Sequence, residues 1–153
     1  MICLYLQSMS ELHASMHFPV KLNIRLDWSE LDMFGHINNV MFFKFIQASR
    51  VNYWEKSGFN NDYVTKKIGP LLVSSSCQFR KPLFYPGNII TEARVEFIKN
   101  TSMGIQHRIL NEKGEIAAEA QDVIVLYDFA KNETVTISPH IRKAIENIEG
   151  RPL

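Results

Sequence analysis

The sequence is poor in several features that mark specialised classes of protein. It holds only two cysteines, Cys3 and Cys77, among 153 residues, which is too few for a disulfide framework or a cysteine-rich zinc site. No run approaches the roughly 20 apolar residues that a membrane-spanning helix needs. The apolar residues 1–6 lack the basic flank of a signal peptide. We therefore expect a cytoplasmic protein with reduced thiols and no membrane span.

The charge is balanced, with 17 Lys and Arg against 16 Asp and Glu and a net charge of +1. Proteins that bind nucleic acid, or a membrane surface through basic clusters, carry an excess of positive charge, so we expect neither partner. Ten Phe, five Tyr and two Trp argue against disorder. The length suits one domain, which we place at residues 19–150 after an N-terminal extension of residues 1–18.

Several chemical motifs are also missing. The sequence has no G-x-S-x-G elbow, no phosphate-binding P-loop and no G-x-G-x-x-G dinucleotide motif. Its five histidines do not stand at metal-ligand spacing with one another or with cysteine. We therefore predict no bound metal and no cofactor.

Hydrophobic periodicity predicts an α+β protein. Val20, Leu22, Ile24 and Leu26 alternate with polar residues, as in a half-buried strand. A helix predicted at residues 39–57 is apolar on most sides, so we expect it to be buried on most sides. Short turns separate the later strands, which favours an antiparallel meander. The predicted elements are strands at 18–28, 68–80, 88–98, 103–111 and 115–127, and helices at 39–57 and 138–148.

One segment between the first strand and the long helix combines groups with chemical potential. Asp32, Gly35, His36, Asn38 and Asn39 lie within eight residues. The start of a helix leaves backbone N–H groups unpaired, and such groups bind an oxyanion. A purely structural interpretation is also open, in which Asp32 caps a turn and one of the asparagines is the helix N-cap.

This segment resembles a known family. Residues 25–45, RLDWSELDMFGHINNVMFFKF, with Arg50 further along the helix, resemble the 4-hydroxybenzoyl-CoA thioesterase-like family of acyl-CoA thioesterases. The resemblance continues to about residue 130 and includes a Pro86-Gly87 turn. Two positions depart from the family pattern, since Glu30 replaces an aspartate and Phe42 replaces a frequent tyrosine.

The resemblance implies a hot-dog fold, in which an antiparallel sheet of about five strands curls round one long helix. It also implies homodimers, often paired into homotetramers, with active sites at the dimer interface. The activity it implies is the hydrolysis of an acyl-CoA thioester to a free acid and coenzyme A.

The family motif assigns candidate roles in catalysis. Asp32 matches the catalytic carboxylate, which either attacks the thioester carbon or activates water. The backbone N–H of Asn39 is the expected oxyanion donor, and Gly35 allows a close approach. His36 either shapes the loop or assists catalysis.

Substrate contacts follow from the same comparison. Lys99, Asn100, Thr101 and Ser102 match the segment that meets the nucleotide and pantetheine arm, and Arg80 and Lys81 are secondary candidates. Phe42 indicates an apolar acyl pocket. Acyl carrier protein remains an alternative to coenzyme A as the carrier.

Two other functions stay open at this point. A hydratase or dehydratase of the same fold would use Asp32 and His36 over an enoyl thioester. A non-catalytic acyl-CoA binding module would keep the pocket without turnover.

Overall fold

The computed structural model describes residues 16–153. Cys3 and most of the predicted N-terminal extension therefore lie outside the described residues. The ordered elements are strands β1 (Val20–Arg25), β2 (Ile68–Phe79), β3 (Asn88–Ile98), β4 (Ser102–Leu110), β5 (Ile116–Asp128) and β6 (Glu133–Thr134), and helices α1 (Asn39–Ser57), α2 (Tyr63–Lys66) and α3 (Pro139–Glu149). A single 3₁₀ turn spans Trp28–Glu30.

The strands form one antiparallel sheet in the order β1-β3-β4-β5-β2, with the short β6 paired to β5. The expected α+β fold with a five-stranded main sheet is confirmed. The prediction of a continuous meander was wrong for β2, because β2 lies at the far edge beside β5 instead of beside β3. Residues 80–87 connect β2 to β3 across the end of the sheet, so this link is not a hairpin although it is short.

Helix α1 packs on one face of the sheet. Phe42, Phe45, Ile46 and Tyr53 are at most 3% exposed and point toward the strands. The prediction of burial on most sides was wrong, because Val40 is 59% exposed and the outward face of α1 has no covering layer among residues 16–153. The apolar residues near the helix start are therefore available at the surface.

Capping residues fix the limits of the helices. The Asn38 side chain accepts a hydrogen bond from the Val40 N–H, and Gly58 ends α1 with φ +70°. Ser138 caps α3 in the same way, with Pro139 in the first turn. These are the residues that the sequence pattern placed at the helix ends.

The C-terminal helix is held to the sheet by a buried carboxylate. Oε1 of Glu149 accepts hydrogen bonds from the Tyr53 hydroxyl and from the Val95 N–H, both at 2.7 Å. Val95 stands beside a register shift between β3 and β4. Glu149 therefore links α1, β3 and α3. None of the helices in the described chain is long and apolar enough to cross a membrane.

Candidate active site

The loop before α1 folds around Asp32. The Asp32 N–H donates to the His36 carbonyl at 2.7 Å, and the Asp32 carbonyl accepts from the Gly35 N–H at 3.1 Å. Oδ1 of the side chain accepts from the N–H groups of Phe34 and His36, at 2.8 and 3.1 Å. These bonds fix the plane of the carboxylate. The second oxygen, Oδ2, makes no hydrogen bond within the described residues.

The structural interpretation of Asp32 is therefore partly correct. One oxygen organises the turn, as in an Asx turn. The other is left for chemistry, and the Asp32 side chain lines an open cleft. The Asp32 carboxylate is therefore held in a fixed position by Oδ1, while Oδ2 is left without a hydrogen bond in the described chain.

The start of α1 supplies a backbone donor on the same cleft. The Asn38 side chain satisfies the Val40 N–H, and the Asn38 carbonyl accepts from the Met41 N–H. The Asn39 N–H has no acceptor within residues 16–153. An unpaired N–H at a helix N-terminus carries partial positive charge, so it suits an oxygen that becomes negative.

The cleft itself has a volume of about 330 Å³. Six of the residues predicted for the site line this cleft, namely Asp32, His36, Asn39, Phe42, Arg80 and Lys81. Ile37, Phe79 and Pro82 complete its lining. The structure therefore gathers most of the predicted residues at one place. Phe79 and Pro82 also line the cleft, and the sequence had not singled them out as site residues.

A neighbouring segment holds the catalytic loop in place. The Ile37 N–H donates to the Leu83 carbonyl at 2.9 Å, and His36 forms a β-bridge with Phe84. The His36 ring packs edge-on against the Phe84 ring, with the ring centroids 5.2 Å apart. This contact fixes His36 beside the cleft through packing, because no side-chain hydrogen bond to its ring occurs in the described chain.

Two further residues of the motif act on the loop. Gly35 adopts φ +79°, a conformation that favours glycine. No atom lies within 4 Å of where its Cβ would stand, and Gly35 does not line the cleft, so its backbone conformation explains the glycine better than a close approach. Glu30 is buried and pairs with Lys44 at 2.8 Å, which ties the 3₁₀ turn to α1.

Arg80 and Lys81 form the basic rim of the cleft. Both are exposed and each has an acidic partner. Arg80 lies 3.1 Å from Glu119, and Lys81 lies 2.6 Å from Glu115. Surface pairs of this kind are weak, so both cations can exchange their carboxylate partners for an anionic ligand.

The turn of residues 99–102 is not brought to this cleft within one chain. Ser102 and Leu71 share the β5 partner Val125, whereas the cleft lies at Phe79, the other end of β2. Eight residues along a strand correspond to about 26 Å. Lys99 Nζ lies 5.3 Å from the centre of the Phe97 ring, and the Asn100 carbonyl accepts from the Ile137 N–H at 2.8 Å.

A buried polar cluster joins the middle of α1 to the sheet, and no local pattern in the sequence indicated it. Arg50 pairs with Asp122 through Nη1 and Oδ2. His107 Nε2 lies 3.2 Å from Oδ2 of Asp122, and His107 Nδ1 lies 3.0 Å from the Ser49 hydroxyl. All four side chains are at most 9% exposed. The hydrogen-bond partners are 15 to 72 residues apart in sequence.

The electrostatics of this cluster favour a neutral histidine beside an ionised carboxylate. Burial lowers the pKa of the His107 imidazole, and the hydrogen bond with Asp122 opposes this only in part. Burial alone would raise the pKa of the Asp122 carboxyl, but hydrogen bonds, the one with His107 first, lower it overall. Neutral His107 then donates from Nε2 to Asp122 and accepts from Ser49 at Nδ1.

Ser49, His107 and Asp122 thus stand in the order of a Ser-His-Asp triad. The Ser49 residue is only 2% exposed and lies outside the Asp32 cleft. A nucleophile without access to substrate does not act, so this cluster is structural. Cys77 is half-buried and burial raises the pKa of its thiol, and such thiols react poorly as nucleophiles. No group of three or more potential metal ligands occurs among the described residues.

Comparison with known proteins places the chain in a family. Residues 26–145 match the model of the thioesterase-like superfamily. The chain is 30% identical over 138 residues to the chloroplastic acyl-acyl carrier protein thioesterase ATL3 of Arabidopsis thaliana, covering 89% of this chain and 68% of that protein. The chain spans about two thirds of the length of the first curated relatives that it matches, 65% and 68%.

Solved structures agree with this fold. A thioesterase superfamily protein from Jannaschia sp. CCS1 superposes with a TM-score of 0.82 at 18% identity, covering 95% of this chain and 92% of that one. A thioesterase from Thermus thermophilus, complexed with coenzyme A and Zn, gives a TM-score of 0.78 at 23% identity, covering 89% and 98%. The hot-dog fold is therefore confirmed, and the chain belongs to the thioesterase-like superfamily.

Proposed function

We propose that the protein hydrolyses an acyl-CoA thioester to a free acid and coenzyme A in the Asp32 cleft. The observation that carries this proposal is the placement of the Asp32 carboxylate and the Asn39 N–H on one cleft at the start of α1. Thioester hydrolysis needs a nucleophile or base on one side of the carbonyl carbon and a donor for its oxygen. The cleft offers both groups.

In this proposal the thioester oxygen lies against the Asn39 N–H, which stabilises the negative charge that develops on it. One such donor is worth about 3–4 kcal/mol of barrier. The Ile37, Phe42 and Phe79 side chains provide an apolar wall for the acyl group. The basic rim of Arg80 and Lys81 suits the phosphates of the carrier.

Oδ2 of Asp32 is the proposed reacting oxygen, because Oδ1 is engaged with two backbone N–H groups. In direct attack it bonds to the acyl carbon, the C–S bond breaks, and the coenzyme A thiolate takes a proton from water. Water then cleaves the mixed anhydride to the free acid and restores the carboxylate. In the alternative, Oδ2 takes a proton from water as the hydroxide bonds to the acyl carbon, and that proton passes to the departing thiolate.

We further propose that the active form is a homodimer or a homotetramer built from such dimers. The outer edge of β2 has no strand partner within the described chain, and Leu72 and Val73 on it are 37% and 55% exposed. A long, unpaired edge of this kind favours pairing with another strand. Light scattering should therefore give at least twice the monomer mass, and an active monomer would contradict a site shared between subunits.

Dimer formation would also bring the turn of residues 99–102 to the site. If two β2 strands pair antiparallel about a twofold axis, the Ile68 end of one lies beside the Phe79 end of the other. The 99–102 turn of the second copy then lies at the same end of the joint sheet as the Asp32 cleft. This arrangement would let Lys99, Asn100, Thr101 and Ser102 contact the coenzyme A arm of a substrate bound in the neighbouring cleft.

The test is a thiol-release assay over a panel of acyl-CoA esters. The wild-type protein should release free thiol, and Asp32→Asn should lose most of this activity while keeping its fold. Asp62→Asn is the matched control, since Asp62 is a carboxylate at a helix start with no side-chain cap bond. Tight binding of the esters without thiol release would instead indicate a binding module.

A carrier-protein substrate is a second candidate, favoured by the 30% identity to an acyl-acyl carrier protein thioesterase. Hydrolysis of one acyl group on coenzyme A and on acyl carrier protein should be compared at equal concentrations. A clear preference for the carrier protein would replace coenzyme A in the proposal.

Hydration of an enoyl thioester is a further candidate, because Asp32 and His36 line one cleft. Incubation with crotonyl-CoA separates the two reactions. Loss of the enoyl absorbance without thiol release would indicate a hydratase, whereas thiol release supports hydrolysis.

A further inference from the structure

Two aromatic rings close the inner end of the Asp32 cleft. The Phe42 and Phe79 rings meet edge to face, with centroids 5.1 Å apart and an interplanar angle of 87°. Both line the cleft. Of the cleft residues, Phe42 lies furthest from the N-terminus of α1, and Phe79 is the residue that lies on β2 itself. The ring pair is therefore the wall on the side of the cleft that faces the middle of the sheet.

Beyond this wall α1 covers β2 only in part, since Cys77 packs against the core cluster of α1 and the sheet but is not fully buried. Side chains alternate along a strand, so Cys77 and Ser75 point to the same side of the sheet as Phe79. Cys77 is only half-buried and Ser75 is exposed, although both face the helix layer. A strip of inner surface thus continues past Phe79 as far as the Arg50–Asp122 pair. Eight helical residues separate Phe42 from Arg50, which corresponds to about 12 Å.

We propose that Phe79 sets the length of the acyl chain that the cleft accepts. This inference rests on the proposed function, since it assumes that the acyl group lies against the apolar wall. A short or compact acyl group ends at the Phe42–Phe79 pair. A longer chain has to pass the Phe79 ring to reach the strip beside Cys77 and Ser75, and the ring blocks that path.

Of the two rings, Phe79 is the one that can be replaced without disturbing the core. Phe42 is 3% exposed and also packs against Phe45, with centroids 6.2 Å apart, so it belongs to the core. Phe79 is 48% exposed, and its one ring contact in the described chain is with Phe42. Removal of the Phe79 ring therefore opens the path without emptying the core.

The test is the chain-length profile of Phe79→Ala. We expect the ratio of kcat/KM for palmitoyl-CoA over butyryl-CoA to rise at least about tenfold over wild type, the effect of burying about two further methylene groups. Phe129→Ala is the matched control, because Phe129 is 38% exposed and packs edge to face against Tyr63 and Tyr127, away from the cleft. An unchanged ratio in Phe79→Ala would overturn the proposal.

A second measurement separates this inference from the proposed function. Binding of S-butyl-CoA and S-hexadecyl-CoA, thioethers that cannot be hydrolysed, is measured for both proteins. If wild type hydrolyses no ester but Phe79→Ala shifts thioether binding toward the long chain, the proposed function fails and the inference stands. If wild type hydrolyses esters and the variant shifts neither profile, the inference alone fails. If Phe79→Ala does not fold, Phe79→Leu replaces it in both measurements. This smaller change should shift hydrolysis and binding toward the long chain relative to wild type, by less than the roughly tenfold rise expected for alanine.

Discussion

Replacement of Arg50 by methionine tests the buried cluster beneath α1. Arg50 pairs with Asp122, a carboxylate with no exposed surface. Methionine keeps an apolar side chain of similar length but removes the cation, so the buried Asp122 charge loses its cationic partner and keeps only hydrogen bonds from neutral groups such as His107. Breaking a buried pair in this way costs about 3–5 kcal/mol. The guanidinium also lies 5.6 Å from the centre of the Trp54 ring, and this contact is lost as well.

Urea denaturation at pH 8 and at one fixed protomer concentration measures this loss, because the stability of an oligomer depends on concentration. We expect Arg50→Met to lower the free energy of unfolding by about 3–5 kcal/mol. The double variant Arg50→Met/Asp122→Leu, which removes both charges, should unfold at a higher urea concentration than Arg50→Met. A loss below about 1 kcal/mol, the size of an exposed pair, would refute the inference that the pair is buried and mutually dependent.

Two further predictions concern pH and the carrier. The pKa of His107 is lowered by burial in the folded state, so the unfolded chain binds more protons just below its own histidine pKa near 6.5. The stability contribution of neutral His107 should therefore be complete above about pH 6.5 and decrease below it, by at most about 1.4 kcal/mol per pH unit. In urea denaturation repeated at several pH values, the free energy of unfolding of His107→Gln should fall less steeply with decreasing pH than that of the wild type. Lys99→Ala should raise KM for coenzyme A esters more than for small thioesters such as N-acetylcysteamine esters, and equal effects in steady-state assays would remove Lys99 from the nucleotide site.

Local patterns predicted the individual elements well. The predicted limits of α1 and β3 agree with the structure, because capping residues and alternation act over a few residues. Asn38 begins α1 because its side chain caps the first turn, and Gly58 ends it because glycine readily adopts the left-handed conformation. The alternation in β3 follows from one covered face of the sheet. Such signals need no knowledge of the rest of the chain.

The order of strands and the depth of the helix were harder to predict. Short connections favour neighbouring strands, but residues 80–87 carry the chain across the sheet end while pairing with the loop before α1. The packing of that loop, through Leu83 and Phe84, depends on contacts more than 40 residues apart in sequence. The apolar residues on the outward face of α1, such as Val40, suggested burial that the sheet of one chain does not provide.

In the candidate site too, the residues close together in sequence were predicted and those brought together by long-range contacts were not. The motif around Asp32 identified most of the cleft, because its residues are close in sequence. Phe79 and Pro82 reach the cleft only through the position of β2 at the far edge. The Ser49, Arg50, His107 and Asp122 cluster joins α1, β4 and β5, so only the folded chain shows it.

The central claim is that the free oxygen of Asp32 acts on a thioester held at the Asn39 N–H. The most direct measurement is kcat/KM of Asp32→Asn for an acyl-CoA ester, relative to Asp62→Asn, with S-alkyl-CoA binding as the check on the pocket. The account predicts a loss of about 10²–10⁴-fold, the typical contribution of a positioned base, with thioether binding retained. Near wild-type turnover in Asp32→Asn would contradict it.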